Sequence, residues 1–408
     1  MRKTPEPKAR PVLLTLAWSA FLACSWTWCI GMFLPALLVR DYGVWGFVLF
    51  AVPNVAGAAA MGWVLTTRRS AATLASRHRV AVTLFSTATV GFHVYWLSWI
   101  GTWVPTALAL DRTRVGIVLA LAIVIFLVFL SRTPRGLAAA AVGLLAFSAI
   151  VLGAVIVSVG LHLPAAEPAR PERALLWLAP VCIFGFALCP YLDGTFLAVR
   201  MQLDARRSRV VFTLGFGLFF AAMILLTYAY APMLIRTLGG RVAPALIAAP
   251  LLAHILLQAG FTVAAHIRCS HARRNLDFFR AGVLLLSALA GVLVRWLAPH
   301  AGLDAGELIY RLYMGLYGLV FPAYVWLIVI PTRHGMPSAG SPAYRRMVRV
   351  FCAAVGIALP MFWMGLIERQ EFWLAPGLAC VLLARLFIPT TAEPNAHAET
   401  AAESGSPG

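Results

Sequence analysis

The stretch Phe184-Gly185-Phe186-Ala187-Leu188-Cys189-Pro190-Tyr191-Leu192-Asp193-Gly194-Thr195-Phe196 sits inside a long apolar run, and Asp193 is the only charged side chain between Arg173 and Arg200. A run of that length is what a helix needs to cross a bilayer. A carboxylate in hydrocarbon costs several kcal/mol unless something pairs with it, so an acid at that depth marks a functional site by default. Pro190 lacks a backbone donor and Gly194 weakens a helix. The pattern therefore predicts two half-helices meeting at an unwound turn, with Asp193 capping the second. Open backbone at that depth is tolerated only where protein or a watery cavity covers it. A cap contributes about 1 kcal/mol, less than burying an ionised carboxylate costs. Capping alone does not explain the acid, which reads as a proton or cation site or as a contact for a substrate amine.

Outward from that run, the 408-residue chain is 61% hydrophobic and 12% charged. Such a composition belongs to an integral membrane protein. Apolar runs of spanning length fall near 12–39, 44–66, 80–104, 115–131, 136–161, 174–199, 210–235, 242–267, 281–298, 306–331, 350–367 and 372–388, which makes twelve spans. The formal charge of +18 does not indicate nucleic acid, because the basic residues cluster in short loops between spans. Of the 33 Lys and Arg, 23 fall at the N-terminus, in the even-numbered loops and at the last inner end. The positive-inside rule then predicts a multi-pass protein of the cytoplasmic membrane with both termini in the cytoplasm.

The basic start, Arg2, Lys3, Lys8 and Arg10, precedes an apolar stretch too long for a cleaved signal, which reads as a permanent span. The domain reading is a tail at 1–11, a first repeat at 12–161, an extracytoplasmic linker at 162–173, a second repeat at 174–331, two further helices at 332–388, and a disordered tail at 389–408. Seven cysteines without CxxC spacing read as packing residues. No cofactor is expected. The only lysines are Lys3 and Lys8, which excludes a phosphate-binding loop and an ATP-driven pump.

Span one contains Ser25-Trp26-Thr27-Trp28-Cys29-Ile30-Gly31-Met32-Phe33-Leu34-Pro35, and span six contains Cys182-Ile183-Phe184-Gly185-Phe186-Ala187-Leu188-Cys189-Pro190. Both place Cys-Ile, Gly, an aromatic and Pro in one run, and they stand an odd number of positions apart in the order of spans. That is the signature of an inverted repeat. With five spans, five inverted spans and two more, the chain resembles the LeuT-type fold of the amino acid, polyamine and organocation superfamily. Tyr42-Gly43-Val44-Trp45-Gly46 and Pro53-Asn54-Val55-Ala56-Gly57 resemble its solute:sodium symporter branch most.

The resemblance implies an all-α membrane protein with helices 1 and 6 broken at Cys24 to Gly31 and at Gly185 to Gly194, around a midplane substrate cavity. It implies substrate contacts from Ser25, Trp26, Thr27, Trp28, Gly31, Gly185, Phe186, Pro190, Tyr191 and Asp193. A hydroxyl on span eight, here Thr262, would help hold Na+, although no second hydroxyl neighbours it.

Span eight carries His254, Gln258, Thr262 and His266 four residues apart, along one face that must look into the bundle. Gln258 is a candidate for substrate, and Asp193, His254 and Thr262 for ion coupling. His266, close to the basic loop, reads as an interhelical hydrogen bond. Ser86, Thr89, His93 and Trp96 share a face of span three, with His93 either a substrate contact or simply hydrogen-bonded. Glu307 and Arg311 would pair along span ten as a surface bridge or an outer gate. Gly57, Gly62, Gly215 and Gly217 read as sites of close helix approach.

The expected function is a secondary active transporter for a small polar or organic solute, coupled to H+ or Na+, with the oligomeric state left open. An enzyme acting on a lipid-linked or acyl substrate, or a non-transporting sensor or scaffold, are the alternatives. The enzyme has against it short loops and the lack of HExxH or GxSxG.

Overall fold

The computed structural model describes residues 9–160, 168–238, 240, 245–269 and 277–388. The basic residues Arg2, Lys3 and Lys8, residues 161–167 of the linker, Arg241, Arg273, Arg274 and the tail 389–408 lie outside them. The described chain is helical throughout. Its elements are α1 (Ala9–Trp26), α2 (Cys29–Val64), α3 (Arg68–Arg77), α4 (Arg79–Ala107), α5 (Arg112–Leu130), α6 (Pro134–Val159), α7 (Leu175–Leu188) and α8 (Gly194–Gln202). They are followed by α9 (Ala205–Leu214), α10 (Ala221–Leu238), α11 (Ala245–Cys269), α12 (Asp277–Leu293), α13 (Ala305–Gly315), α14 (Phe321–Tyr324), α15 (Pro342–Leu366) and α16 (Leu374–Leu383).

Among the described residues, ten helices are long and apolar enough to cross a membrane. The difference from twelve has local causes. The first apolar run is cut at Thr27 and Trp28, which leaves Pro11–Trp26 as a shorter apolar helix. Its second half runs on through Gly43, where the backbone turns left-handed at φ 67°, into the next helix, so that α2 reaches 36 residues. At the other end the last run is divided between the ten-residue α16 and a 3-10 turn at Ala384–Phe387. Three π-helical turns, Gly215–Phe220, Leu316–Val320 and Val325–Val329, widen otherwise continuous helices.

Polar side chains close the helix ends at the loops. Thr67 and Ser70 form a capping box at α3, and the side chains of Asp111, Thr133, Asp204, Asp304 and Ser341 accept backbone N–H groups at α5, α6, α9, α13 and α15. The centre is packed with aromatic rings, including Phe21, Phe85, Phe92, Trp96, Phe196 and Phe216, all fully buried. Around it α4 packs on α12, α2 on α7 and α10, α1 on α6, and α11 on α5 and α6.

Ile117, Leu119, Leu121 and Leu127 of α5, and Phe278, Leu285 and Leu286 of α12, are exposed. In water that would be an unstable surface; it suits a lipid-facing rim. Close approach at glycine is real at three of the four positions. A Cβ at Gly57 would overlap the Phe186 carbonyl, one at Gly62 would lie 2.5 Å from Phe212 Cβ, and one at Gly215 would lie 2.9 Å from the Ser19 carbonyl. Gly217 faces open space.

The basic loops gather at one end. Arg68 donates to the Gln202 and Leu203 carbonyls, Arg77 to those of Thr332 and Arg333, and Arg268 to that of Leu130. Arg200, fully buried, joins the carbonyls of Leu65 and Leu203 there. The opposite end carries a different set of charges.

Candidate functional site

Two helices are interrupted inside the bundle, and the interruptions face each other. Between α1 and α2, Thr27 and Trp28 leave the helix, with Trp28 extended at φ −76° and ψ 177°. Between α7 and α8, a 3-10 turn Cys189–Leu192 containing Pro190 ends at Asp193, whose backbone is also extended. Thr195 Oγ1 lies 3.1 Å from Ser25 Oγ, and the Trp26 and Phe196 ring centroids are 4.9 Å apart.

Breaking a helix frees backbone groups that hydrocarbon cannot satisfy, so each must find a partner in the protein. Here the neighbouring helices supply them. Gln258 Nε2 and Thr262 Oγ1 of α11 both donate to the Cys24 carbonyl, the latter at 3.1 Å. Trp28 Nε1 donates to the Ser25 carbonyl at 2.5 Å. The Cys29 N–H, first of α2, donates to His93 Nε2 at 3.1 Å. Nε2 is therefore the acceptor, and the ring proton sits on Nδ1, which donates to the Thr89 carbonyl at 2.8 Å. Tyr310 donates to the Cys29 carbonyl, Thr227 to that of Gly31, and Tyr230 to that of Met32. His93 thus terminates a half-helix from outside it.

In the second break Asp193 is fully buried. Its Oδ1 accepts from the Thr195 N–H at 2.7 Å, the Thr195 hydroxyl at 2.6 Å and the Phe196 N–H at 3.3 Å, which makes it the cap of α8. Its Oδ2 has no hydrogen-bond partner and lies 3.8 Å from His266 Nε2 on α11, also unpartnered and fully buried. The Trp28 ring packs edge-on against His266, centroids 5.4 Å apart.

A cavity of about 110 Å³ starts at the breaks and runs toward the end opposite the basic loops. Trp26, Trp28 and Cys189 form its floor. Its walls are mostly apolar, from α2, α7 and the Met314 to Gly318 segment, with Asn54 a polar exception that accepts the Trp26 indole N–H at 2.6 Å. Asp41, Tyr42, Arg311 and Glu371 line its far end.

Those four belong to an ionic cluster. Arg40 makes a two-pronged bond to Glu307 at 2.7 and 2.8 Å and reaches Asp41 at 2.9 Å. Arg311 bridges Asp41 and Glu307 at 2.7 and 2.8 Å, and Arg369 lies 3.3 Å from Asp41. Glu371 accepts from Tyr42 at 2.7 Å and from Arg170 at 2.9 Å. Its hydrogen bond to Arg170 raises that guanidinium further above its ordinary range. All three carboxylates are buried. The backbone of Ala169 and Arg170 is stitched to Arg40 and Asp41 by two N–H to carbonyl bonds, at 3.1 and 2.8 Å.

Of the residues singled out in the sequence, Trp26, Trp28, Gly31, Gly185 and Phe186 line the cavity. Ser25, Thr27, His93, Pro190, Gln258 and Thr262 lie behind its floor as the frame of the breaks, and Tyr191 is half-buried away from the lining. Asp193 is not exposed to the cavity, contrary to the sequence expectation, because capping turns one oxygen to α8 and the other to His266. His254 pairs with Ser148 of α6 at 3.0 Å, away from both breaks.

Two features escaped sequence reasoning. His266 makes the interhelical bond expected of it, Nδ1 to the Ser86 hydroxyl of α4 at 3.4 Å, but its Nε2 also faces Asp193, and its place in the four-residue series on α11 was the available signal. The ionic cluster goes far beyond Glu307 and Arg311, and Arg40-Asp41 adjacent in an apolar run was the signal for it. Compared with models of protein families and with curated proteins, the chain matches none.

Proposed function

We propose that this protein is a secondary active transporter, moving a small organic solute by alternating access of one helix group against another, coupled to an ion. The observation that carries this reading is the pair of facing helix interruptions, at Thr27-Trp28 and at Asp193, beneath a cavity that runs from them to the ionic cluster. Interrupted helices place backbone ends and polar groups at depth where a solute can meet them, and a permanent break is expensive unless used.

A LeuT-type arrangement of five plus five inverted spans and two further helices accounts for the position of both breaks, counting Pro11–Trp26 with the first half of α2 as one span. Under the positive-inside rule the basic end is cytoplasmic, in the cytoplasmic membrane, so the cavity leads outward and the ionic cluster is its outer gate. The apolar walls and aromatic floor suit a solute with an apolar body, its polar group directed to the charged end or to Asn54.

As for the ion, the Cys24 carbonyl already accepts from Gln258 and Thr262. Two donors on the oxygen that the resemblance would offer to Na+ favour H+.

Purified protein in liposomes, challenged with a panel of amino acids, nucleobases, carboxylates and quaternary amines, should take up at least one class chemically unaltered. Gly185→Val, whose Cβ would stand 2.8 Å from the Tyr317 carbonyl and intrude on the cavity wall, should cut that uptake about tenfold. No uptake of any class, or recovery only of altered products, would overturn the proposal.

A further inference from the structure

We infer that the coupling ion is a proton, and that it is held between the Asp193 carboxylate and the His266 imidazole. The inference deepens the proposed function and rests on it, but its geometry is independent. Asp193 has one oxygen saturated and one bare. The bare Oδ2 faces the bare Nε2 of His266 at 3.8 Å, both atoms fully buried and neither hydrogen-bonded. Interiors rarely leave two such atoms unsatisfied without a use for them. Closing the gap by about 1 Å would make a hydrogen bond.

The site has two workable charge states. Three donors on Oδ1 support the carboxylate with a neutral imidazole, for a net charge of minus one. One added proton, on Oδ2 or on the imidazole, brings the pair to zero. The proton comes from water, one O–H or N–H bond forms on binding, and the same bond breaks on release to water. No other bond changes.

Charge at this depth biases which helix arrangement is stable, so occupancy and conformation are linked. The break at Asp193 is the element that can respond, because the cap and the ion site share one carboxylate. Thr195 carries the response to Ser25 in the other break.

The surroundings favour this pair over other candidates. The titratable groups that face it are the Cys189 thiol from the preceding turn, the Cys269 thiol from α11 and, toward His266, the His93 imidazole from α4. His93 has both ring nitrogens engaged and could not take a proton without releasing the Cys29 N–H. The remaining polar neighbours, Ser25, Ser86 and Thr195, are hydroxyls. Access exists in outline on both sides. Trp28, which packs on His266, is floor of the main cavity, and Gly194, next to Asp193, lines a small cavity of about 10 Å³ with Arg79 and Met201 toward the basic end.

The test uses the full chain in liposomes, labelled with 13C-Asp and 15N-His, followed by infrared carboxyl absorption and imidazole nitrogen shifts from about pH 4 to about pH 9. A carboxyl band and one imidazole should titrate together in the wild type. Asp193→Asn should remove that band, and His266→Gln should move its midpoint by about one pH unit or more. His254→Gln should leave both signals in place. A wild-type spectrum with no titrating buried carboxyl, or a His266→Gln titration superimposable on the wild type, would overturn the assignment, and the first of these needs no variant. The two proposals fail separately. Joint titration without flux of any solute would keep the proton site and sink transport, whereas solute accumulation indifferent to a pH gradient would keep transport and sink proton coupling.

Discussion

A histidine in the middle of a membrane protein invites a catalytic or transport role, but His93 shows how the role follows from what each ring nitrogen touches. Its Nε2 accepts the first N–H of α2, and its Nδ1–H is spent on the Thr89 carbonyl. Removing the ring leaves a buried backbone donor without partner, a loss of about 1–3 kcal/mol. His93→Ala should therefore lower the melting temperature of the detergent-solubilised protein clearly, and His93→Gln, whose amide oxygen can accept, should recover part of it. Equal melting of the alanine variant and the wild type would show that water satisfies Cys29 instead. His266, with Nε2 unspent, stands in the opposite condition. In the sequence each is a His inside an apolar run; what separates them is the partner that the fold brings across.

Among the elements, the second break was legible because Pro190, Asp193 and Gly194 each disfavour continuous helix and stand within five positions of one another. The first break has no such marker at Thr27 and Trp28; its approximate place followed from the echo with span six, and its stability comes from Gln258, Thr262 and His93, far off in the chain. Long-range partners of that kind leave no local pattern. The four-residue series on α11 did disclose a buried polar face, and His254, Gln258, Thr262 and His266 are all fully buried, but only packing decides that the first meets Ser148 and the last meets Asp193.

A further contact between elements carries a pH dependence. His78, where α3 meets α4, is buried with Nδ1 3.1 Å from the Tyr324 hydroxyl and Nε2 3.4 Å from that of Thr332. Burial, assisted by the charge of Arg77, lowers its pKa from 6.5 to about 4. The docked state thus prefers the neutral ring. Its contribution is complete above pH 6.5 and is lost as pH falls from there toward about 4, where the docked ring also protonates. Hydrogen exchange in peptides around residues 324–333, corrected for intrinsic rate, should be faster at about pH 5 than at about pH 7 in the wild type, and insensitive to that change in His78→Gln.

At the scale of the molecule, the two ends differ in kind. One end has arginines on backbone carbonyls, and the other has arginines on the carboxylates at the far end of the cavity, the gate proposed above. Breaking a buried ion pair by removing one member costs about 3–5 kcal/mol, discounted here because Arg40 is 26% exposed. Glu307→Gln leaves Arg40 with Asp41 as its only carboxylate and weakens Arg311, so the proposed gate should open more often. Labelling of Cys182, a native thiol in the cavity wall, by a membrane-impermeant maleimide should then speed up about tenfold, equivalent to about 1.4 kcal/mol. Cys182→Ser identifies the signal, and an unchanged rate would mean that the gate lies elsewhere. The stitching of Ala169 and Arg170 to Arg40 and Asp41 adds a mechanical corollary. Residues 169 and 170 are tied to the proposed hatch, so any motion of that hatch must carry this strip of chain with it. A binder raised against residues 168–171 should therefore act as a latch on the transport proposed above, from outside the cavity lining.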